Sequence, residues 1–169
     1  MQFERLYQEL ARGAEVVKAL VAGMPPDEAQ FRPTPEAWSV LEVICHLYDE
    51  EREDFRQRLD IILHRPDQPW PPIDPAGWVT ARNYQARDLA EMLDGFLAER
   101  AKSLDWLREL STPNWDTKYV TRFGPITAGD MFAAWVAHDN LHLRQLVELK
   151  RAQVVNLAAP YEVGYAGDW

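Results

Sequence analysis

Two histidines stand four residues apart in HDNLH, His138 and His142, inside the stretch TAGDMFAAWVAHDNLHLRQLVELK, which is patterned as an amphipathic helix. Four residues of α-helix advance about 400°, so the two imidazoles project within roughly 40° of each other and about 6 Å apart along the axis. A helix offers two nitrogen ligands to one cation in this way, each imidazole coordinating at about 2.0–2.1 Å. For the pair alone, packing or surface hydrogen bonding is the competing reading. A third imidazole, His46, falls in the inward pattern of an earlier helix, with Val43 one turn before it and Leu47 beside it. Burying an unpaired imidazole is costly, so His46 needs polar partners. Two facing imidazoles with a metal between them satisfy it. Three histidines with further positions open describe a catalytic metal site, since a structural site is closed by a fourth protein ligand.

Glu50 follows His46 by four residues and so shares its helix face. It is a candidate fourth ligand, acceptor for an imidazole N–H, or general base; the other reading is a solvated charge in the run DEERED. Asp49 and Asp139 read as helix-surface carboxylates or outer partners of the ligands. Cys45 projects about 100° away from His46 and reads as a small buried side chain. His64, at the end of its helix, reads as a partner of the helix dipole or solvent. Three neutral imidazoles suit zinc, nickel, iron and copper alike; one divalent transition metal is expected, zinc first, with nickel or iron as alternatives. A dinuclear carboxylate centre needs Glu-x-x-His on two helices, and Val43 and Asp139 stand where its glutamates should be.

The elements that position these residues are legible from periodicity. Phe3, Leu6, Tyr7, Leu10, Ala14, Val17, Leu20 and Val21 define a first helix ending near Gly23, before Pro25-Pro26. SVLE at Ser39 is a capping box that opens a second helix, with an apolar stripe reaching about His64. The proline-rich RPDQPWPPIDP ends it. A third helix lies within TARNYQARDLAEMLDGFLAERAKSLDWLREL and starts at Thr80 or at the second box, DLAE. KYVTRF before Gly124-Pro125 reads as an irregular or hairpin-like crossover. Thr127 and Asp130 cap a fourth helix running to about Lys150-Arg151. The tail AQVVNLAAPYEVGYAGDW has no helical periodicity and is expected to be ordered by packing. The expected fold is an all-α four-helix bundle of one domain, residues 1–169, with long crossover loops.

The 169 residues carry 18 basic and 27 acidic side chains, a formal charge of −9, which argues against nucleic acid and anionic membranes as partners. The single cysteine forms no intrachain disulfide, and the charged N-terminal segment reads as neither signal peptide nor membrane span, so a cytoplasmic protein is expected.

RPTPEAWSVLEVICHLYDEE, with Trp-Ser opening the helix and a histidine beyond the capping box, together with HDNLHLRQL, resembles the DinB-like superfamily of metal-dependent enzymes. The resemblance runs from the first helix through Gln145. It implies a bundle in which His46, His138 and His142 hold a divalent metal, often in a homodimer. Gln145 matches the polar residue that commonly follows the last histidine, whereas Arg144 stands where glycine is frequent. The resemblance implies transfer or isomerisation dependent on a low-molecular-weight thiol; the metal itself also points to hydrolysis of a small molecule by activated water. The alternatives are a non-catalytic binding or stress-response protein and a dimeric interaction module.

Overall fold

The computed structural model describes residues 1–167; of the expected ordered tail, Asp168 and Trp169 lie outside the described residues. The first helix, α1, spans Phe3–Val21, and a short α2, Pro26–Gln30, opens on the predicted proline pair. The second long helix is built in three parts. α3 covers Val40–Glu50, a π-helical turn covers Glu51–Phe55, and α4 covers Arg56–His64. The capping box forms as read: the Ser39 N–H donates to the Glu42 carboxylate at 2.8 Å, and Ser39 Oγ accepts from the Glu42 N–H at 3.3 Å. Arg32 closes on the same carboxylate, so the box is also the clasp that ties the preceding loop to the helix start.

The ambiguous start of the third long helix resolves at Asp88, whose side chain accepts from the Glu91 N–H; α6 then spans Leu89–Glu109. Thr80 lies inside a separate short helix, α5, Pro75–Ala81, capped by Asp74. KYVTRF forms a true hairpin. β1, Lys118–Thr121, pairs antiparallel with β2, Gly124–Thr127, leaving Arg122 and Phe123 at the tip. Capped by Thr127 and Asp130, α7 runs through Ala128–Ala158, past the expected end at Lys150-Arg151. The correction has a physical cause. In this final stretch only Gln153 is buried, its amide donating to the Glu28 carbonyl at 2.6 Å, while Val154, Val155 and Leu157 are exposed. A segment that overhangs the bundle has no reason to carry an apolar stripe, and no helix breaker occurs before Pro160.

α1 packs against α6 and α7, and α3 packs against the same two helices, with α4 also on α7. The first and second long helices therefore occupy opposite corners. The core is divided in two. One apolar cluster gathers Val17, Val43, Leu47, Phe96 and Leu146; the other gathers Leu10, Phe55, Leu107, Phe132 and Trp135. On every long helix the change from one cluster to the other falls beside a buried polar group: the Leu10 carbonyl on α1, which accepts from Arg100, Glu50–Asp54 on the second long helix, Arg100 on α6, and Asp139 and His142 on α7. A polar layer crosses the bundle at mid-height.

Candidate metal centre

α3 contributes His46 from its second turn, seven residues beyond the Ser39 cap; α7 contributes His138 and His142 one turn apart. Among the described residues these three form the one group of potential metal ligands whose donor atoms converge, all lying within 4.8 Å of one another. His46 Nε2 is 3.4 Å from His138 Nε2, and His142 Nε2 is 3.1 Å from His138 Nε2. Two nitrogens bound to one metal at about 2.0–2.1 Å, with a bond angle between about 90° and 109°, are separated by roughly 2.9–3.4 Å. The donor set fits a single ion without rearrangement of these pairs.

Burial holds the imidazoles in the neutral form that ligation requires. His46 and His138 are both pushed down to about 3, chiefly by desolvation and further by their histidine neighbours; for His138, Arg100 adds to the effect. His142 is lowered for the same first reason, opposed by its bond to Gln145. That bond, 2.8 Å between His142 Nδ1 and Gln145 Oε1, assigns the tautomer: an amide oxygen only accepts, so Nδ1 carries the proton and the Nε2 lone pair faces the other two rings. Nδ1 of His46 is buried without a partner, which leaves Nε2 as the nitrogen through which this ring makes its polar contacts. Trp38 packs on the His46 ring at 5.1 Å between centroids and Phe55 on the His138 ring at 4.9 Å, fixing both orientations with apolar surface.

DEERED is not a solvated run. Asp49, Glu50, Glu51 and Asp54 are all buried, each with its own assignment. Asp49 accepts from the Tyr84 hydroxyl at 2.6 Å and pairs with Arg52 and Arg82. Glu51 accepts from one edge of the Arg100 guanidinium, Nε to Oε1 at 2.8 Å and Nη2 to Oε2 at 2.9 Å, and from the Trp135 indole N–H at 3.0 Å. Glu50 shares a hydrogen bond with Asp54, and Asp54 meets Arg58 at 2.6 Å. The π-turn makes this possible. Four α-helical residues overshoot a full circle by about 40°, and the wider turn takes that advance back, so Asp54 returns beneath Glu50 while Glu51 swings to Arg100. Burial, then the neighbouring Asp54, push the Glu50 carboxyl up to about 8, with Arg58 opposing; Asp54 is raised by burial.

Asp139 is neither at the helix surface nor a partner of the imidazoles: it is buried on Arg100. Gly13 allows that approach, since a Cβ there would stand 2.5 Å from Asp139 Oδ2. Cys45 is buried, and desolvation together with Asp49 pushes its thiol up to about 12, which removes it as a nucleophile. His64 pairs with Asp60 at 2.9 Å, away from the cluster. Arg100, Asp54 and Arg58 escaped the sequence reading. A local signal existed for two of them, the repeat His46, Glu50, Asp54, Arg58 at intervals of four. Arg100 had none.

With this geometry established, comparison adds the family. The DinB superfamily model matches residues 9–146. The chain belongs to the DinB superfamily. Among solved structures it is similar to YfiT from Bacillus subtilis, with a TM-score of 0.79 and 19% identity over 90% of this chain and 87% of that one. YfiT is described as a probable metal-dependent hydrolase with an unusual four-helix bundle topology; at this identity the likeness establishes the fold. No curated protein matches the chain. No described helix is long and apolar enough to cross a membrane.

Proposed function

We propose that the chain is a metal-dependent hydrolase acting on a small molecule, with one divalent transition metal held by His46, His138 and His142. The convergence of three neutral, oriented imidazole nitrogens carries this reading. The description of YfiT, and the family implied by both histidine motifs, support it. Zinc is the first choice, since three imidazoles with positions left over form the donor set of hydrolytic zinc sites; nickel and iron accept the same donors. Such a metal, when bound, supplies Lewis-acid polarisation and lowers the pKa of water. The residues of the chain do the rest. Gln145 orients His142, Trp38 and Phe55 pack on the other two rings, and Glu50, four residues beyond His46 and protonated up to about 8, is a candidate proton donor that becomes an acceptor only once ionised.

Elemental analysis of untagged protein tests the site. About one equivalent of transition metal is expected in wild type, falling below roughly a tenth in His142→Ala with helical circular dichroism retained. Equal metal content in both proteins sinks the assignment. Turnover of ester or amide substrates that is abolished by chelation and restored by metal supports hydrolysis; turnover only with an added low-molecular-weight thiol replaces it by transfer.

A further inference from the structure

A cavity of about 1070 Å³ is lined by neighbours of the histidine cluster rather than by the histidines themselves. Phe55 lines it while packing on His138, and Ala134, one turn before His138, lines it too. Its walls are largely apolar, including Ile73, Ile126 and Met131 beside Trp70 and Tyr119. Trp70 is held firmly: Tyr119 stacks on it at 4.4 Å and 1°, the Tyr119 hydroxyl accepts from its backbone N–H at 2.9 Å, and the Arg58 guanidinium lies over its ring at 4.5 Å. The buried polar part of the lining combines Asp54 and Arg58, Oδ1 and Nε 2.6 Å apart, their side chains only 10% and 16% exposed; Arg122 and Asp130 also line the cavity, of opposite charge and exposed to solvent. Despite their close approach, Arg58 Nε and Asp54 Oδ1 are buried without a hydrogen-bond partner, so both residues keep hydrogen-bonding capacity.

Charge decides what this lining accepts. Arg58 and Asp54 cancel, and Glu50 behind them is held neutral by burial. A carboxylate entering the cavity would confront Asp54, and an ammonium would confront Arg58. Either adds a third, uncompensated charge to a largely desolvated pair, a costly arrangement. A neutral group with a donor and an acceptor side by side adds none. An ester lacks the donor; a carboxamide has both.

We propose that this cavity binds neutral molecules with an apolar body and a carboxamide head, whose N–H donates to Asp54 and whose C=O accepts from Arg58. The binding stands on the cavity's own residues; its role as the substrate pocket of the hydrolase rests on the proposed function above.

The test follows the Trp70 indole N–H resonance, assigned with Trp70→Phe, during titration with benzamide, benzoate and benzylamine. Trp70 Nε1 is buried without a partner, so its resonance has no competing protein contact. Benzamide is expected to move it saturably, at least about tenfold tighter than either charged analogue. Asp54→Asn leaves Arg58 without its counter-charge and is expected to turn the preference toward benzoate. No shift with benzamide up to its solubility, or benzoate binding wild type as well as benzamide does, overturns the proposal. Titrating metal-free and metal-loaded protein separates the two readings: benzamide binding to a protein that takes up no metal sinks the hydrolase alone, and metal uptake without benzamide binding sinks the cavity assignment alone.

Discussion

Arg100 and Asp139 meet through two parallel hydrogen bonds, Nη1 to Oδ2 at 2.6 Å and Nη2 to Oδ1 at 2.9 Å, so the residue next to His138 is clamped to the middle of α6. The same guanidinium holds Glu51 on the π-turn and the Leu10 carbonyl on α1. One cation thus ties all four long helices at the level of the candidate site. Burial and the two carboxylates act in opposite senses on Arg100, and the carboxylates prevail, raising its proton affinity further.

Removing that cation strands two buried carboxylates. Arg100→Met is expected to cost about 3–5 kcal/mol in urea denaturation, because an uncompensated buried charge is far worse than an absent pair. Adding Glu51→Gln and Asp139→Asn should recover part of the loss. A triple variant less stable than the single one contradicts this account.

Gln145 touches no candidate metal directly; it holds the His142 tautomer. Gln145→Leu should therefore lower metal affinity about 10–100-fold while leaving the fold intact, as measured by competition with a chelator of known affinity. Unchanged affinity would mean that His142 is oriented by packing alone.

In metal-free protein the buried imidazoles oppose protonation. An imidazole ordinarily titrates near 6.5, and burial holds His46 and His138 near 3 in the folded state. Above about pH 6.5 neither state takes up protons and the full stability is present; below it the unfolded chain binds protons that the folded one refuses. Stability should fall with acidification across pH 6.5 to 3, by up to roughly 1.4 kcal/mol per pH unit per imidazole. The triple alanine variant should lose this component of the slope, which denaturation at several pH values reads directly.

Glu50 shows the opposite sense. Burial, then Asp54, let its folded carboxyl keep a proton up to about 8, against an ordinary value of 4.5, with Arg58 opposing. Between those values the unfolded chain releases the proton and gains, so wild type loses stability as pH rises. Glu50→Gln is neutral throughout and should gain on wild type by on the order of 3 kcal/mol from pH 5 to 8. A difference independent of pH would show that Glu50 is ionised in the fold.

The three histidines are legible in the sequence, and the physics behind two of them is simple: residues four apart on a helix share a face, whatever surrounds it. The Ser39, Asp88 and Thr127 caps were legible for the same reason, since a cap is a contact within three or four residues. DEERED was not. Its composition matches a solvated helix face, and only the packing of α6 against α3, with Arg100 reaching Glu51 from 49 residues away, makes burial tolerable. Nothing in EREDF marks a π-turn, because that turn answers to partners on other helices, Arg100 for Glu51 and the cavity wall for Asp54. The long helices, their caps and the faces bearing imidazoles are written in the residue order, because each is set by interactions a few residues long. Which corners the helices occupy, which charges are buried together and where the cavity lies follow from pairings across the bundle, which leave no local periodicity.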